Sequence, residues 1–326
     1  MAAAWTPLHA RLHTTLRQRS LLPPGTTLLI AVSGGQDSLC LLRLLLDLQP
    51  KWRWQLAVGH CDHGWAIDVG LAARLAAMID TWQLPFYLAR SPTPLPETEA
   101  AARQWRYTAL SDLAQQAGAT RVVTAHTLSD RAETLLYNLI RGAGADGLQA
   151  LAWERSLAPG LTLVRPLLEV ARIETGTFCQ QQALPIQIDP ANSQLRYARN
   201  RLRQQVLPLL RAEFNPQVEV ALAQTAELLT AEVDYLKAQA ITLLQASLAA
   251  DGCGLHRPTL RQAPLALQRR ALRQFWQQQL AIAPSFQHLE ALTQLLDAPN
   301  RSRTHSLPTG AWLEVEGDWL RWHAGT

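Results

Sequence analysis

The sequence predicts an α/β fold: a parallel twisted sheet with helices on both faces, joined to a mostly helical C-terminal domain that carries a small antiparallel sheet. Three observations predict it. Short apolar runs with strand character ("TLLIAVS", "WQLAVGHC", "PFYLAR", "RVVTAH", "TLVRPL") alternate with amphipathic stretches of helical period through the first part of the chain. After Asn215-Pro216 the helical period takes over, as in "NPQVEVALAQTAELLTAEVDYLKAQAITLLQASL". The end, "SRTHSLPTGAWLEVEGDWLRWH", alternates apolar and polar residues around turns at Pro308-Thr309-Gly310 and Gly317-Asp318. Two domains follow, residues 1–215 and 216–326.

The first element is a helix, "PLHARLHTTLRQRSLL". A targeting leader would also have arginines and no acid before Asp37, but a strand follows almost at once, so an ordinary helix and a cytoplasmic protein are expected. Apolar residues make up 48% of the 326 and charged ones 17%, which excludes a disordered chain. The longest apolar run, "LCLLRLLLDL", is interrupted by charges, so no membrane segment is expected. The four cysteines (Cys40, Cys61, Cys179, Cys253) lie far apart without a CxxC pair. That spacing speaks against a zinc or iron–sulfur site and against a disulfide framework.

The first strand runs into "SGGQDS", Ser33 to Ser38. Gly34 and Gly35 let the backbone turn sharply and approach a bulky ligand. Ser33, Ser38 and the first amides of the next helix, with Gln36 among them, offer donors to an anion such as phosphate, and Asp37 can hold Mg2+. The Walker pattern and its lysine are absent. A loop without that lysine suits gripping pyrophosphate as a leaving group better than moving a terminal phosphoryl group. A second strand ends in "HCDHGWAID", and a fourth in "AHTLSDRAET". In the latter, His126 precedes a helix on which Asp130 and Glu133 share a face. Helix capping alone would account for both acids, with Asp130 as cap and Glu133 closing a capping box. The position of all three stretches at strand ends, where parallel sheets bind ligands, favours one shared site.

Positive charge is placed unevenly. Residues 1–215 hold 21 Lys and Arg against 16 acids, whereas residues 216–326 hold 9 against 10. The sharpest feature is "LRYARNRLRQQVLPLLR", with five arginines and no acid between Pro190 and Ala212. It reads either as a solvated helix face or as a contact for nucleic-acid phosphates. In "ARQWRY", Arg103 and Arg106 sit beside Tyr107 at helical spacing, suited to phosphate or to base stacking, or else to ion pairing with Glu97 and Glu99. Gly142 in "RGAGADGL" is a natural helix end, and Arg141 offers a charge there.

The "SGGQDS" loop resembles the signature of the N-type ATP pyrophosphatases, of the adenine nucleotide alpha hydrolase-like fold. Four further blocks resemble one family within it: "ETEAAARQWRYTAL", "AHTLSDRAETLLYNLIRGAGADGL", "RPLL" and "DPANSQLRYARNRLRQQVLPLL". Together, over roughly residues 25 to 211, they are similar to the tRNA(Ile)-lysidine synthases. The resemblance implies ATP and Mg2+ as cofactors, and tRNA(Ile) with a CAU anticodon and free L-lysine as partners. It implies adenylation of the wobble cytidine, then displacement of AMP by lysine. It implies Ser33 to Ser38 for ATP, Asp37 and Asp130 for metal, and catalytic roles for Asp37, His126, Asp130 and Glu133, with His126 or Asp130 as base. Arg103, Arg106, Arg141, Arg199, Asn200 and Arg203 would hold substrate. The chain departs from the family pattern at "DHGWAID", which lacks a basic residue, and at Thr127 and Ser129, where a His and an Asp are usual. Two alternatives remain open, a tRNA thiolase of the same superfamily and a non-catalytic RNA-binding relative. The sequence leaves oligomeric state open, a homodimer included.

Overall fold

The computed structural model describes residues 5–64, 70–92, 99–187, 194–280, 282–305 and 310–324. The chain opens with α1 (Pro7–Gln18), capped by Thr6, whose hydroxyl meets the His9 amide. Then come β1 (Thr27–Ala31), α2 (Gln36–Trp52), β2 (Gln55–Asp62), α3 (Leu71–Thr81), β3 (Phe86–Arg90), α4 (Glu99–Gln116), β4 (Arg121–Val123), α5 (Leu128–Ile140) and the short α6 (Ala145–Leu148). A hairpin of β5 (Glu154–Ala158) and β6 (Leu161–Val164) leads to α7 (Arg172–Gln181). The basic segment forms α8 (Ala198–Arg201), a π-helical turn over Leu202–Val206, and α9 (Leu207–Glu213).

These strands make one six-stranded sheet in the order β3-β2-β1-β4-β6-β5. All neighbours are parallel except the β5–β6 pair at the edge. β5 was not expected: "ERSLA" is polar and largely exposed, so it lacks the apolar signature of a buried strand. β1 is the reverse case, with Leu28, Leu29 and Ile30 buried between two helical layers. One layer packs α1, α2, α3 and α7 around Leu39, Leu42, Leu45 and Phe178; the other packs α4 through Leu110, Leu113 and Ala114. Each leucine so buried contributes about 1.5–3 kcal/mol, which is why leucine-rich α2 is apolar nearly all round.

The strand order sets the site. From β1 the chain builds outward to β2 and β3, then returns to the other side of β1 with β4. The crevice beyond the carboxyl ends of β1 and β4 is the switch point where parallel sheets bind ligands. The loop of residues 32–35 leaves β1 there, and the loop of residues 124–127 leaves β4 beside it.

The chain divides into two compact units, residues 1–229 and 230–326. The division falls inside α10 (Val218–Ser247), beyond Asn215-Pro216. The first turns of α10 belong to the first unit: the Glu227 carboxylate accepts hydrogen bonds from Arg19, Arg131 and the Trp153 indole. The second unit continues with β7 (Gly254–His256), α11 (Arg257–Arg261), α12 (Leu265–Gln279), α13 (Phe286–Leu295), β8 (Trp312–Glu316) and β9 (Trp319–His323). Its strands pair antiparallel in the order β7-β9-β8, with Gly317 at positive φ in the β8–β9 turn. The core is Leu255, Leu272, Phe275, Trp276, Leu313 and Leu320. The turn expected at Pro308-Thr309 lies outside the described residues. No helix among the described residues is long and apolar enough to cross a membrane.

Candidate active site

A pocket opens at the switch point, walled by Ser33, Asp37 and Ser38, by Arg106 and Tyr107, and by His126 and Asp130. The Ser33-to-Ser38 loop is shaped by its glycines. Gly34 has φ +84°, and a Cβ there would also meet the Leu71 side chain at 3.0 Å. Gly35 caps α2 with no side-chain bond to the helix, so the first amides of α2 stay open to an anion. Ser38 ties the loop, its hydroxyl donating to the Gly35 carbonyl (2.8 Å) and accepting from the Ser33 amide (3.2 Å). The Gln36 side chain turns instead to α7, donating to the Arg172 carbonyl (2.8 Å) and to Thr175 Oγ1 (3.1 Å).

Asp37 lies between loop and α7. It pairs with Arg172 at 3.2 Å and accepts a short hydrogen bond from the Thr175 hydroxyl. Burial nevertheless dominates and holds its carboxyl above the ordinary range, against the pull of Arg172. Neither Arg172 nor Thr175 stood out in the sequence, since nothing local links them to a residue so far upstream.

On α5 the cap is Thr127 rather than Asp130. Thr127 is the N-cap, and Asp130, three positions on, closes the capping box with Oδ2 at 2.8 Å from both the Thr127 amide and hydroxyl. Glu133 takes no part in the cap; it faces Arg203. The guanidinium donates from Nε to Glu133 Oε1 (2.6 Å), and from Nη2 to Glu133 Oε2 (2.8 Å) and Asp130 Oδ1 (3.1 Å). Arg203 lies in the π-helical turn, a local irregularity common at functional sites. Burial raises the Asp130 carboxyl, but His126, Arg203 and the Thr127 donors outweigh it and hold the group below its usual range. Glu133 goes the other way: burial wins over Arg203, and its carboxyl stands above the usual range. His126 lies beyond the end of β4, not in it, and Thr124 Oγ1 sits 3.0 Å from its Nδ1. Burial, with help from Arg165, Arg106 and Arg103, pushes its pKa down to about 3 against the pull of Asp130. The imidazole is therefore neutral near pH 7. The two departures from the family pattern have work here: Thr127 caps α5, and Ser129 Oγ accepts from the Arg172 amide at 3.3 Å.

Arg103 and Arg106 flank the Tyr107 ring at 5.6 and 5.9 Å. Nothing is described of the Glu97 and Glu99 side chains with which they were alternatively to pair. Arg141 and Arg199 sit apart from the pocket, at 5.2 and 6.0 Å from the Tyr137 ring. Asn200 donates to the Gln194 carbonyl at 2.9 Å, which fastens the start of the basic helix. The turn of Asp189, Pro190 and Asn192 and most of "GWAID" lie outside the described residues. Cys61 lines the pocket, and burial pushes its thiol up to about 12. Cys40 and Cys179, distant in sequence, meet between α2 and α7 as buried free thiols sharing a hydrogen bond.

The donor set suits a hard cation held partly by phosphate. Asp37 and Asp130 are carboxylates on the same pocket, close enough for Asp130 to raise Asp37. Among the described residues no group of three or more His, Cys, Asp or Glu side chains could hold a metal alone. Mg2+ is commonly held by one or two carboxylates plus phosphate oxygens, which these two can supply.

The chain is similar to known proteins along most of its length. The family described as "PP-loop domain" matches residues 8–210, and "TilS substrate binding domain" matches residues 255–326. A curated relative from Nostoc sp., named tRNA(Ile)-lysidine synthase, is 51% identical over 97% of this chain and 96% of its own. Another of that name from Synechocystis sp. is 50% identical over 98% of both chains. Among solved structures, the U34-tRNA thiolase NcsA from Methanococcus maripaludis matches with a TM-score of 0.58 at 17% identity, covering 68% of this chain and 77% of its own, which shows a shared fold alone.

Proposed function

Since the chain belongs to the tRNA(Ile)-lysidine synthase family, we propose how its residues divide the ATP-dependent ligation of lysine to C2 of the wobble cytidine of tRNA(Ile) with a CAU anticodon. The chain is an ATP-using ligase that forms lysidine on that tRNA. What carries the division of roles is the meeting, at one switch point, of an anion-accepting loop with Asp37 and Asp130, each paired with an arginine, and with Glu133 joined to Asp130 through Arg203.

The open amides of α2, with Ser33, Gly34, Gly35 and Ser38, hold the two outer phosphates of ATP, and Gln36 braces the loop against α7. Asp37 and Asp130 are the residues that would hold Mg2+, which when bound neutralises phosphate charge and eases departure of pyrophosphate. The C2 carbonyl oxygen of the cytidine attacks the α-phosphorus as the bond to pyrophosphate breaks, leaving adenylated RNA. Arg103 and Arg106 stabilise phosphate charge there. The lysine ε-amine then forms a bond to C2 while the C2–O bond breaks and AMP leaves.

The amine must lose a proton to attack. Asp130, held low, keeps its charge and suits the incoming ammonium; Glu133, held high, is the better acceptor of the proton. His126, neutral near pH 7, serves as a hydrogen-bonding group rather than the base first considered for it. Arg203 sets the acid pair in register. Arg141 and Arg199, both beside the Tyr137 ring, suit RNA phosphates and an unstacked base, and Asn200 fixes the start of the basic helix. The C-terminal unit reads the tRNA body, in keeping with the family matched there. The reaction belongs in the cytoplasm, where ATP, lysine and free tRNA meet, and a single chain or a homodimer would hold every group named. No observation favours the thiolase alternative, because the pocket cysteine is held far from ionisation.

The test is incorporation of labelled lysine into a CAU-anticodon isoleucine tRNA transcript, with an initiator methionine tRNA and Asp37→Ala as controls. ATP-dependent label in the isoleucine tRNA alone, lost in the variant, supports the reading. Pyrophosphate release without lysine label would sink it.

A further inference from the structure

Tyr107 sits in the pocket wall with its hydroxyl buried, and Arg165, which can only donate, is the side chain that reaches it. The phenolic hydrogen is left without an acceptor among the described residues, at a cost of about 1–3 kcal/mol, so its place asks for a reason. The charged groups described around its ring and hydroxyl are arginines. Arg103 and Arg106 come from α4, Arg155 lies with its guanidinium carbon 4.2 Å from the ring centre from β5, and Arg165 approaches the hydroxyl from the segment after β6. Arg165 is only 2% exposed, donates to the Ala152 carbonyl at 2.7 Å, and has an unpartnered Nε. Among the described residues none of these four arginines forms an ion pair with a carboxylate. Of the other titratable groups in the pocket, His126 is neutral near pH 7, Cys61 is a thiol, and Asp37 and Asp130 are the acids.

A buried guanidinium such as Arg165 without a carboxylate is costly, and four arginines around one phenol make a wall with no anion paired to it among the described residues. Asp37 and Asp130 line the same pocket. A ligand that fills it must be anionic at the Tyr107 end. We propose that the Tyr107 hydroxyl, backed by Arg165 and flanked by Arg103 and Arg106, donates a hydrogen bond to a phosphate oxygen and completes a phosphate subsite in this pocket. The inference rests on the lysidine-forming reading and adds Tyr107 and Arg165 to its binding residues. Two phosphates qualify, the α-phosphate of ATP and a backbone phosphate of the RNA.

The subsite would close as pH rises. Burial raises the phenol pKa, but Arg103, Arg165 and Arg106 outweigh it and bring it down to about 8. Below that the hydroxyl donates; above it the phenolate repels phosphate.

Binding of ATP, and separately of a CAU anticodon stem–loop RNA, is to be measured for wild type and Tyr107→Phe at pH 7 and at intervals up to pH 9. Loss of one hydrogen bond to a charged group predicts an affinity about tenfold weaker at pH 7 for one probe, and the probe affected names the phosphate. A fall for both probes with an unchanged melting temperature also supports the subsite. Wild-type affinity for the affected probe should fall about tenfold for each pH step above 8, while the variant stays level. Unchanged affinity for both probes in the variant, or wild-type binding level to pH 9, overturns the proposal. Should the variant fail to fold, the wild-type pH series decides alone. A wild type that incorporates lysine while Tyr107→Phe binds both probes normally would refute this subsite and leave the lysidine reading standing.

Discussion

Arg203 grips Glu133 through two parallel hydrogen bonds, Nε to Oε1 at 2.6 Å and Nη2 to Oε2 at 2.8 Å, and the same Nη2 reaches Asp130. The Glu133 side chain is 4% exposed, so this fork is its counter-charge. Arg203→Lys keeps the charge but not the two-pronged geometry. The expected cost is about 1–3 kcal/mol of stability. A displaced acid pair is expected to slow turnover on the order of a hundredfold. Thermal melts and pyrophosphate release, measured together, check both numbers; wild-type turnover in the lysine variant would show that the fork does not set the acids.

The acid limb of stability should carry the signature of His126. Its folded pKa, about 3, lies below the ordinary value of 6.5, so the unfolded chain binds the proton more readily between those values. Stability is therefore lost as pH falls from about 6.5 toward 3. Asp130, also held low, adds to the loss only below the usual carboxylate range. Asp37 and Glu133, held high, act in the opposite sense and gain as they protonate. The net loss from His126 is on the order of 2–4 kcal/mol across its interval. Urea unfolding at pH 7, 5.5 and 4 should show a shallower decline in His126→Asn; equal slopes would mean that the ring titrates normally.

Within the first unit, Glu227 is the hub that fastens the first turns of α10 to the residues around them. Its carboxylate meets Arg131 at 2.6 Å, Arg19 at 2.8 Å and the Trp153 indole at 2.9 Å. Arg131 is 2% exposed and has no other ion pair among the described residues. Glu227→Gln preserves shape and removes the charge. Breaking a fully buried pair costs about 3–5 kcal/mol, and the partial exposure of Glu227 brings the expectation down to roughly 2 kcal/mol. Denaturant titration reads this directly, and a loss below about 0.5 kcal/mol would class the hub with ordinary surface pairs.

Much of this architecture was legible before any coordinates. The buried strands announced themselves because they are apolar on both faces, and Gly34 with Gly35 marked the turn after β1. Edge strand β5 hid because its residues face water. Read from the sequence, the cap of α5 falls three residues too late: Thr127 and Asp130 form the box, which frees Glu133 for Arg203. Long-range partners were out of reach. Thr175 and Asp37 are 138 positions apart, and no local pattern in "ARIETGTF" points back to the loop. Cys179 meets Cys40 for the same reason, by α2 packing on α7.

The backbone of Gly34 is what places it in the proposed nucleotide loop, so Gly34→Ala separates fold from that proposed role. At φ +84° an L-residue pays strain of about 1–3 kcal/mol. The new Cβ would also sit 3.0 Å from Leu71 Cδ1, the end of a side chain that can shift by a few tenths of an ångström. The fold should therefore survive with a modest drop in melting temperature. The loop relaxing its strain would move the Ser33 hydroxyl and the first α2 amides away from the pocket, and if these donors hold ATP as proposed, its affinity should fall by more than tenfold. Binding of the anticodon stem–loop, which does not use the loop, should change far less. Equal losses for nucleotide and RNA would mean that the substitution had disturbed the whole pocket; undiminished ATP binding would mean that the turn at Gly34 does not shape the anion site.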